Sequence, residues 1–165
     1  PGTGKRNGVA ILCSKALDVQ VVSHKSDSTG RWVAASITVN KIPLTILNVY
    51  APTQVDRSFW PEILSTLMHF SDSYLILGGD CNMVLDPFVD RRSKSKFVSS
   101  SMHSQFTSTI QQRSLIDAWR LCNPTLQEFT FFSPAHFTQS RIDYIFVSQA
   151  LAQHSLFRDR HYINI

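Results

Sequence analysis

The stretch Tyr74-Leu75-Ile76-Leu77-Gly78-Gly79-Asp80-Cys81-Asn82 joins a short apolar run to two glycines and two polar residues. Four to eight apolar residues bounded by turn signals predict a buried strand. The glycines indicate a place where the backbone turns or where another group approaches it closely. If the chain stays extended, a period of two places Asp80 and Asn82 on one side of it. The stretch therefore predicts either a functional site at a sheet end or a polar turn in which Asp80 caps local amides.

The composition is that of one globular domain with its own core. The chain has 165 residues, of which 43% are hydrophobic and 17% charged. Its net charge of +4 allows a polyanionic partner without requiring one. Cys13, Cys81 and Cys122 share no close spacing, which argues against a disulfide framework and a cysteine zinc site. We therefore expect a reducing compartment, nuclear or cytoplasmic, and no secretion; the absence of an 18-residue apolar run predicts no membrane span.

The first third of the chain predicts strands followed by a helix. Apolar runs and alternation predict strands at 8–13, 17–21, 33–39 and 44–50, and short turns between the last three predict an antiparallel meander. Apolar residues at helical spacing then predict a core-facing helix, with Asp56 or Ser58 as its cap. These apolar residues are Trp60, Ile63, Leu64, Leu67 and Met68. The helix leads directly into the Tyr74 strand, so the two strands and the helix predict a crossover unit.

The second half predicts a basic loop, a helix and more strands. Four basic residues in a serine-rich loop are either solvated or placed to hold phosphates; they are Arg91, Arg92, Lys94 and Lys96. Residues 102–110 predict a second helix, 115–119 a short apolar piece, 129–132 and 141–147 strands, 150–157 a short helix and 161–165 the start of a strand.

Asp143 is a carboxylate among apolar neighbours in the predicted strand at 141–147, between Ile142 and Tyr144. Burying a carboxylate costs several kcal/mol unless it is paired or hydrogen-bonded. Asp143 is therefore predicted either to pair with Arg141 or to face a functional site.

Three motifs together resemble a known family. They are Asn48-Val49-Tyr50-Ala51-Pro52, Gly79-Asp80-Cys81-Asn82 and Ser140-Arg141-Ile142-Asp143-Tyr144. In this order they resemble the endonuclease/exonuclease/phosphatase superfamily, and residues 6–12, 115–120 and 129–133 are similar to LINE-type non-LTR retrotransposon endonucleases. The resemblance implies an α+β fold, a four-layer α/β/β/α sandwich of the DNase I-like type with two sheets face to face.

The resemblance also implies metal-dependent hydrolysis of a DNA phosphodiester, with Mg²⁺ or Mn²⁺ as cofactor. It implies that Asp80 orients and deprotonates the attacking water, and that Asn82 donates its amide to a phosphate oxygen or fixes that water. Tyr50 would hydrogen-bond the scissile phosphate, and Asp143 would accept a hydrogen bond from the family's catalytic histidine. Residues resembling the family's DNA-binding positions are Thr130, Ser140, Ile142 and, near the substrate backbone, Arg91.

Some family features have no counterpart in the sequence. The family's N-terminal strands, which carry an Asn and a metal-binding Glu, and its closing Ser-Asp-His motif are not matched. We therefore assign no metal ligand and expect 1–165 to be a single partial domain that lacks the N-terminal strands and the C-terminal strand. Such a span is expected to be marginally stable and to cleave DNA weakly or not at all.

Three functions follow as hypotheses. The first is a DNA-nicking endonuclease domain, with DNA as partner, no small-molecule cofactor and a covalently joined reverse transcriptase. The second is a degenerate remnant that binds nucleic acid or nothing. The third is a phosphatase or phosphodiesterase acting on a small phosphorylated substrate.

Overall fold

The computed structural model describes residues 8–70 and 74–153. Its elements follow in chain order: β1 (Val19–Ser26), β2 (Trp32–Val39), β3 (Ile42–Tyr50), α1 (Phe59–His69), β4 (Tyr74–Asp80), β5 (Arg91–Arg92), α2 (Ser101–Gln112), β6 (Leu115–Asp117), α3 (Ala118–Cys122), β7 (Phe131–Ser133), β8 (Thr138–Ser140), β9 (Asp143–Ser148) and α4 (Gln149–Gln153). The predicted mixture of strands and helices is confirmed.

Six strands form the main sheet, in the order β1-β2-β3-β4-β9-β6. The first three are antiparallel neighbours, which confirms the predicted meander. β3 and β4 are parallel and joined through α1, which confirms the predicted crossover unit. β9 runs antiparallel to β4, and β6 runs antiparallel to β9. The centre of the sheet is therefore β3, β4 and β9. The last residues of β3 and β4 lie at the same edge of the sheet as the first residue of β9.

A smaller sheet of three short strands has the order β5-β8-β7. Its two pairings are antiparallel, with Arg91 opposite Ser140 and Phe131 also opposite Ser140. Only Arg141 and Ile142 separate β8 from β9. The small sheet is therefore attached directly to the start of a central strand of the main sheet.

The main core lies between one face of the large sheet and the helices α1 and α2. Trp60 of α1, Phe106 of α2 and Phe146 of β9 have no solvent exposure. The rings of Trp60 and Phe106 are 4.7 Å apart, and those of Phe106 and Phe146 are 6.0 Å apart. Burying side chains of this size stabilises a fold by about 1.5–3 kcal/mol each. This aromatic cluster fixes the sheet against the helices that follow β3 and precede β6.

A second, smaller cluster lies on the other face of the sheet, because neighbouring residues of a strand point to opposite faces. In β4, Leu75 and Leu77 belong to the main core, whereas Ile76 packs with Val147 and with Leu151 of α4. Part of this second face remains open, since Ile145 is 40% exposed.

Gly79 lies where β4 passes closest to β3. Its φ is +124°, a conformation that residues with a side chain rarely adopt. A Cβ there would overlap the Val49 carbonyl oxygen and lie 2.7 Å from Asn48 Oδ1. At Gly78 a Cβ would meet nothing closer than the Tyr144 carbonyl oxygen at 3.5 Å. Of the two glycines predicted to mark a close approach, Gly79 is therefore the one that the backbone requires.

Several predicted elements differ from the structure. Residues 8–13 are not a strand; the segment is instead linked to β3 by Asn48, whose Nδ2 donates to the Ala10 carbonyl oxygen at 2.9 Å. β1 is not half-buried, because it is the edge strand of the sheet and most of its side chains face solvent. Met68 is not in the core, because it is 60% exposed on the outer side of α1.

The helix caps and later boundaries also shift. Ser58 is the N-cap of α1, but its side chain makes no cap hydrogen bond and instead donates to Asp56 Oδ1 at 2.6 Å. The apolar piece at 115–119 divides into β6 and the start of α3, and the strand predicted at 129–132 is β7. The predicted helix at 150–157 corresponds to α4 as far as Gln153; its remainder and the predicted strand at 161–165 lie outside the described residues. None of the described helices is both long and apolar enough to span a bilayer.

Candidate active site

Three polar side chains lie at neighbouring strand ends on one edge of the main sheet. In the register of β3 and β4, Tyr50 is opposite Asp80. In the register of β4 and β9, Asp80 is opposite Asp143. The ladder continues one step further, because the Ala51 N–H donates to the Asp80 carbonyl oxygen and the Cys81 N–H donates to the Ile142 carbonyl oxygen, both at 2.8 Å. The backbone thus holds Tyr50, Asp80 and Asp143 side by side.

Asp80 is half-buried between the other two. Burial raises the pKa of its carboxyl group, and the nearby Asp143 carboxylate raises it further. The Asn82 N–H donates to Asp80 Oδ1 at 2.9 Å and opposes both effects by lowering the pKa. A carboxylate with a raised pKa is a stronger base than an ordinary one, and such shifts are common at catalytic positions.

An extended strand as far as Asn82 would place Asn82 on the same side as Asp80, as the period of two predicts. The strand does not continue that far. β4 ends at Asp80, and Asn82 has a φ of +48°, in the left-handed region that asparagine tolerates better than most residues. Its Nδ2 donates to the Ala51 carbonyl oxygen at 2.7 Å. Asn82 therefore closes a turn over the ends of β3 and β4, with its N–H on Asp80. The predicted polar turn is confirmed, and it forms at the same place as the candidate site, so the turn does not exclude a site there.

Tyr50 is half-buried at the end of β3. The guanidinium of Arg31 lies 5.3 Å from the centre of its ring, and Arg31 Nη1 donates to the Tyr50 carbonyl oxygen at 3.2 Å. A ring held in this way has a fixed direction, which is what a hydrogen-bond donor to a phosphate oxygen needs.

Asp143 is exposed, and this corrects the expectation that it is buried among apolar residues. Its neighbours Tyr144 and Phe146 face the buried side of β9, while Asp143 and Ile145 face the open side. The predicted pair with Arg141 is also wrong, because the Arg141 guanidinium binds Asp90 and Asp117. Of the two alternatives, the structure leaves an Asp143 that faces the candidate site.

Thr130, Ser140 and Ile142 meet beside Asp143. The Thr130 N–H donates to the Ser140 carbonyl oxygen at 3.0 Å. Thr130 Oγ1 accepts from the N–H groups of Ile142 and Asp143, at 3.1 and 3.2 Å. The three residues predicted to line a DNA-binding face are thus joined beside Asp143, but Ser140 is buried, so only Thr130 and Ile142 reach the surface.

Arg91 belongs to β5, opposite Ser140. Its guanidinium donates to the carbonyl oxygen and to the hydroxyl of Ser95, both at 2.8 Å, so it supports the loop that follows. Arg92 lies over the Phe129 ring at 5.4 Å. Lys94 and Lys96 are exposed and form no ion pair with a described residue, which leaves their charges available to a polyanion.

The site adjoins an open cavity of about 440 Å³ whose lining includes three aromatic side chains. The lining residues are Gly79, Trp119, Glu128, Phe129, Thr130, Arg141, Asp143, Tyr144 and Ile145. The cavity begins at Asp143 and extends over the open side of β9.

A buried ion network lies behind the site, and the pairing of its residues could not be predicted from the sequence. Asp90 binds both Arg120 and Arg141, and Arg141 also binds Asp117. These four residues are far apart in the chain and share no motif spacing, so only the folded topology brings them together. The available signal was Arg141, a basic residue in a predicted apolar strand. The partner predicted for it, Asp143, is wrong.

The described residues do not by themselves form a metal site. Within 8–70 and 74–153, no three His, Cys, Asp or Glu side chains come together in a way that would hold a metal ion. Asp80 and Asp143 are the two carboxylates at the strand ends, and the Asn82 amide is bound to backbone. Asp80 and Asp143 could contact an ion bound to a substrate phosphate, but among the described residues no third protein ligand joins them.

The sequence profile of the Endonuclease/Exonuclease/phosphatase family matches residues 1–164. The chain therefore belongs to the Endonuclease/Exonuclease/phosphatase family. It is 37% identical over 149 residues to the "Transposon TX1 uncharacterized 149 kDa protein" of Xenopus laevis; the match covers 87% of this chain and 11% of that protein.

Solved structures show the same fold. The crystal structure of the AP endonuclease LMAP from Leishmania major matches with a TM-score of 0.63 at 16% identity, over 84% of this chain and 55% of that one. The endonuclease domain of TRAS1, a telomere-specific non-LTR retrotransposon, matches with a TM-score of 0.57 at 19% identity, over 83% of this chain and 58% of that one. These similarities confirm the predicted DNase I-like α+β class and the predicted family. The chain spans little more than half the length of these structures.

Proposed function

We propose that this chain is an endonuclease domain of the non-LTR retrotransposon type and that its site hydrolyses a phosphodiester bond of DNA. The observation that carries the proposal is the register that places Tyr50, Asp80 and Asp143 side by side. These residues come from three of the sequence motifs that resemble the family, and the fold brings one polar residue of each motif to the same sheet edge. The similarity to a transposon protein and to a retrotransposon endonuclease domain supports the choice of DNA over a small substrate.

In the proposed reaction, Asp80 takes a proton from a water molecule that attacks the phosphorus atom. As the new P–O bond forms, the bond from phosphorus to one deoxyribose oxygen breaks, and that oxygen leaves as a hydroxyl group after taking a proton from solvent. Burial and the Asp143 charge raise the Asp80 pKa, which makes its carboxylate a better general base near neutral pH. Asn82 holds Asp80 in place through its N–H, which donates to Oδ1. The Tyr50 hydroxyl donates to an oxygen of the scissile phosphate, where negative charge increases in the transition state.

Asp143 and the surface beside it orient the remaining groups. The exposed Asp143 carboxylate accepts a hydrogen bond from a histidine, a role that rests on the resemblance to the family. Thr130 and Ile142 contact the sugar-phosphate backbone, the buried Ser140 supports them through its carbonyl oxygen, and Arg92, Lys94 and Lys96 attract the backbone by charge. This division places catalysis at the strand ends and DNA binding on the small sheet.

The family is generally dependent on divalent metal ions. We propose the same dependence here, with Mg²⁺ or Mn²⁺ as the ion. When bound, such an ion stabilises charge on the phosphate oxygens. Nicking that continues unchanged in excess EDTA would contradict this part of the proposal. A reducing, nuclear or cytoplasmic setting and a covalently joined reverse transcriptase complete the proposal, the latter because the transposon relative is a much longer protein.

Conversion of supercoiled plasmid to nicked circles by the full natural protein tests the function, because residues 1–165 alone are expected to cleave DNA weakly or not at all. A small phosphomonoester and an inositol phosphate are assayed in parallel. We expect nicking in the presence of Mg²⁺ and no phosphate release from the small substrates. Release from the small substrates without nicking would favour the phosphatase alternative. DNA binding without nicking would favour a remnant that has lost its chemistry.

A further inference from the structure

A buried network of four charged side chains lies directly behind the candidate site. Arg141 Nε donates to Asp90 Oδ1 at 2.9 Å, and Arg141 Nη2 donates to Asp90 Oδ2 at 3.0 Å. Nη2 also donates to Asp117 Oδ2, and Arg120 Nη2 donates to Asp90 Oδ1. The Arg141 side chain is 4% exposed and that of Asp90 1%. None of these four side chains has a part in the proposed reaction.

Arg141 is held by aromatic rings as well as by charge. Its guanidinium lies 4.5 Å from the centre of the Tyr144 ring and 5.1 Å from that of the Trp119 ring. A guanidinium presents its donors in one rigid plane, so two carboxylates and two rings fix its orientation completely. A lysine at this position keeps the charge but loses the forked geometry.

The backbone transmits this fixed position to the site. The Arg141 N–H donates to the Asp90 carbonyl oxygen at 2.9 Å, and the Tyr144 hydroxyl donates to the Arg141 carbonyl oxygen at 2.8 Å. The next residue, Ile142, accepts from the Cys81 N–H and donates its own N–H to Thr130 Oγ1. Asp143 follows immediately, opposite Asp80. The two-residue link between the sheets is therefore held on both sides, one step from the paired carboxylates.

We propose that Arg141, fixed by Asp90 and Asp117, is a positioning residue that sets the place of Asp143 and Ile142 relative to Asp80. It controls the rate of phosphodiester cleavage without touching DNA. A buried ion network is a poor source of stability, because the desolvation of its charges offsets their attraction. Its value here is a unique geometry for the link that joins the DNA-binding surface to the catalytic strand end. The rate effect rests on the proposed function, whereas the geometric effect does not.

The test uses Arg141→Lys and, as a milder change, Asp117→Asn. Asp117→Asn removes the charge that faces Arg141 but keeps an oxygen for the N-cap of α3, where Asp117 Oδ1 accepts from the Arg120 N–H at 3.0 Å. Leu67→Ala is the matched control, because Leu67 is fully buried in α1 and its truncation lowers the melting temperature without touching the network. All rates are measured well below the melting temperature of each variant.

Two readouts separate positioning from stability. For Arg141→Lys we expect kcat for plasmid nicking to fall about 10- to 100-fold, since small misplacements of a catalytic group have effects of this size. KM is expected to change little, and Leu67→Ala is expected to keep the wild-type kcat. The second readout is the titration of the Asp80 carboxyl group by ¹³C NMR, which needs no activity. Asp143 is the charged group that faces Asp80, beside the uncharged Tyr50 and Asn82. The Asp80 pKa should therefore fall toward the value found in Asp143→Asn.

The outcomes are distinct. If Arg141→Lys and Asp117→Asn lower the melting temperature as Leu67→Ala does, but leave kcat and the Asp80 titration at wild-type values, the network is structural only and the proposal is wrong. Equal loss of kcat in Leu67→Ala would also overturn it. If the wild-type protein does not cleave DNA, the proposed function fails while the titration still decides the positioning role. If Arg141→Lys does not fold, Asp117→Asn carries both readouts.

Discussion

Replacement of Gly79 by alanine is the sharpest test of how the candidate site is built. The φ of +124° is unfavourable for any residue with a side chain, at a cost of about 1–3 kcal/mol. The new Cβ would also overlap the Val49 carbonyl oxygen, and since backbone must move to admit it, overpacking adds about 1–3 kcal/mol. The sum is about 2–6 kcal/mol of lost stability. For a domain of this size, a central loss of about 4 kcal/mol lowers the melting temperature by about 8–16 °C.

Gly78→Ala is the matched control for this prediction. It makes the same chemical change one residue earlier, where a Cβ meets only an ordinary contact at 3.5 Å. Its expected effect is within about 1 kcal/mol in either direction. Both variants are compared with the wild type by thermal unfolding followed by circular dichroism. If Gly79→Ala melts within a few degrees of Gly78→Ala, the close approach of β4 to β3 beside Asp80 is wrong.

Three further predictions concern the charges and hydrogen bonds of the site. The Asp80 pKa is higher in the folded protein than its ordinary value of 3.8. The protonated carboxyl group therefore favours the folded state, and this contribution to stability is lost as pH rises through the folded-state pKa. Asp80→Asn should therefore raise the melting temperature at neutral pH and leave it unchanged below pH 3.8; an equal shift at both pH values would contradict the raised pKa. Thr130→Val removes an exposed hydroxyl group and the acceptor of two backbone N–H groups, and should weaken DNA binding by about 0.5–1.5 kcal/mol, whereas Thr130→Ser should not, as fluorescence anisotropy would show. Joint replacement of Lys94 and Lys96 by alanine should reduce the slope of log K against log salt by up to about 2, with Lys41→Ala, in the turn at the opposite end of β3, leaving it unchanged.

The sequence was sufficient for the parts of the fold that depend on local pattern. The apolar run before Gly78 predicted β4, and the helical spacing from Trp60 to Leu67 predicted the core-facing side of α1. Strand, helix and strand in succession predicted the parallel pair. Because β3 and β4 are parallel, the polar residues that end them, Tyr50 and Asp80, lie at one edge of the sheet.

Burial and pairing could not be predicted in the same way, because they depend on which element covers which. Asp143 follows the apolar alternation of a buried strand, but one side of β9 is open and Asp143 faces it. The partners of Arg141 come from positions 51 and 24 residues away, so the nearest carboxylate in the sequence was the wrong one. Met68 continues the apolar stripe of α1, but the sheet does not cover this position and the Met68 side chain is exposed.

The left-handed turn at Asn82 shows why the two readings of the opening stretch were not exclusive. An asparagine after Gly-Gly-Asp-Cys is equally suited to end a strand and to present an amide. In the structure its N–H donates to Asp80 Oδ1 and its Nδ2 donates to the Ala51 carbonyl oxygen, so Asn82 closes the turn and holds Asp80 in place.

The central claim is that Asp80 is the catalytic base of a DNA-nicking site, and its most direct test is the rate of plasmid nicking by Asp80→Ala in the natural protein that contains this chain. Asp18→Ala serves as the matched control, since Asp18 is an exposed carboxylate outside the site. We expect a loss of about 10²–10⁴-fold in the Mg²⁺-dependent rate for Asp80→Ala, the usual contribution of a positioned general base, and no change for Asp18→Ala. A nicking rate for Asp80→Ala within about twofold of the wild type, with both variants folded, would contradict the account.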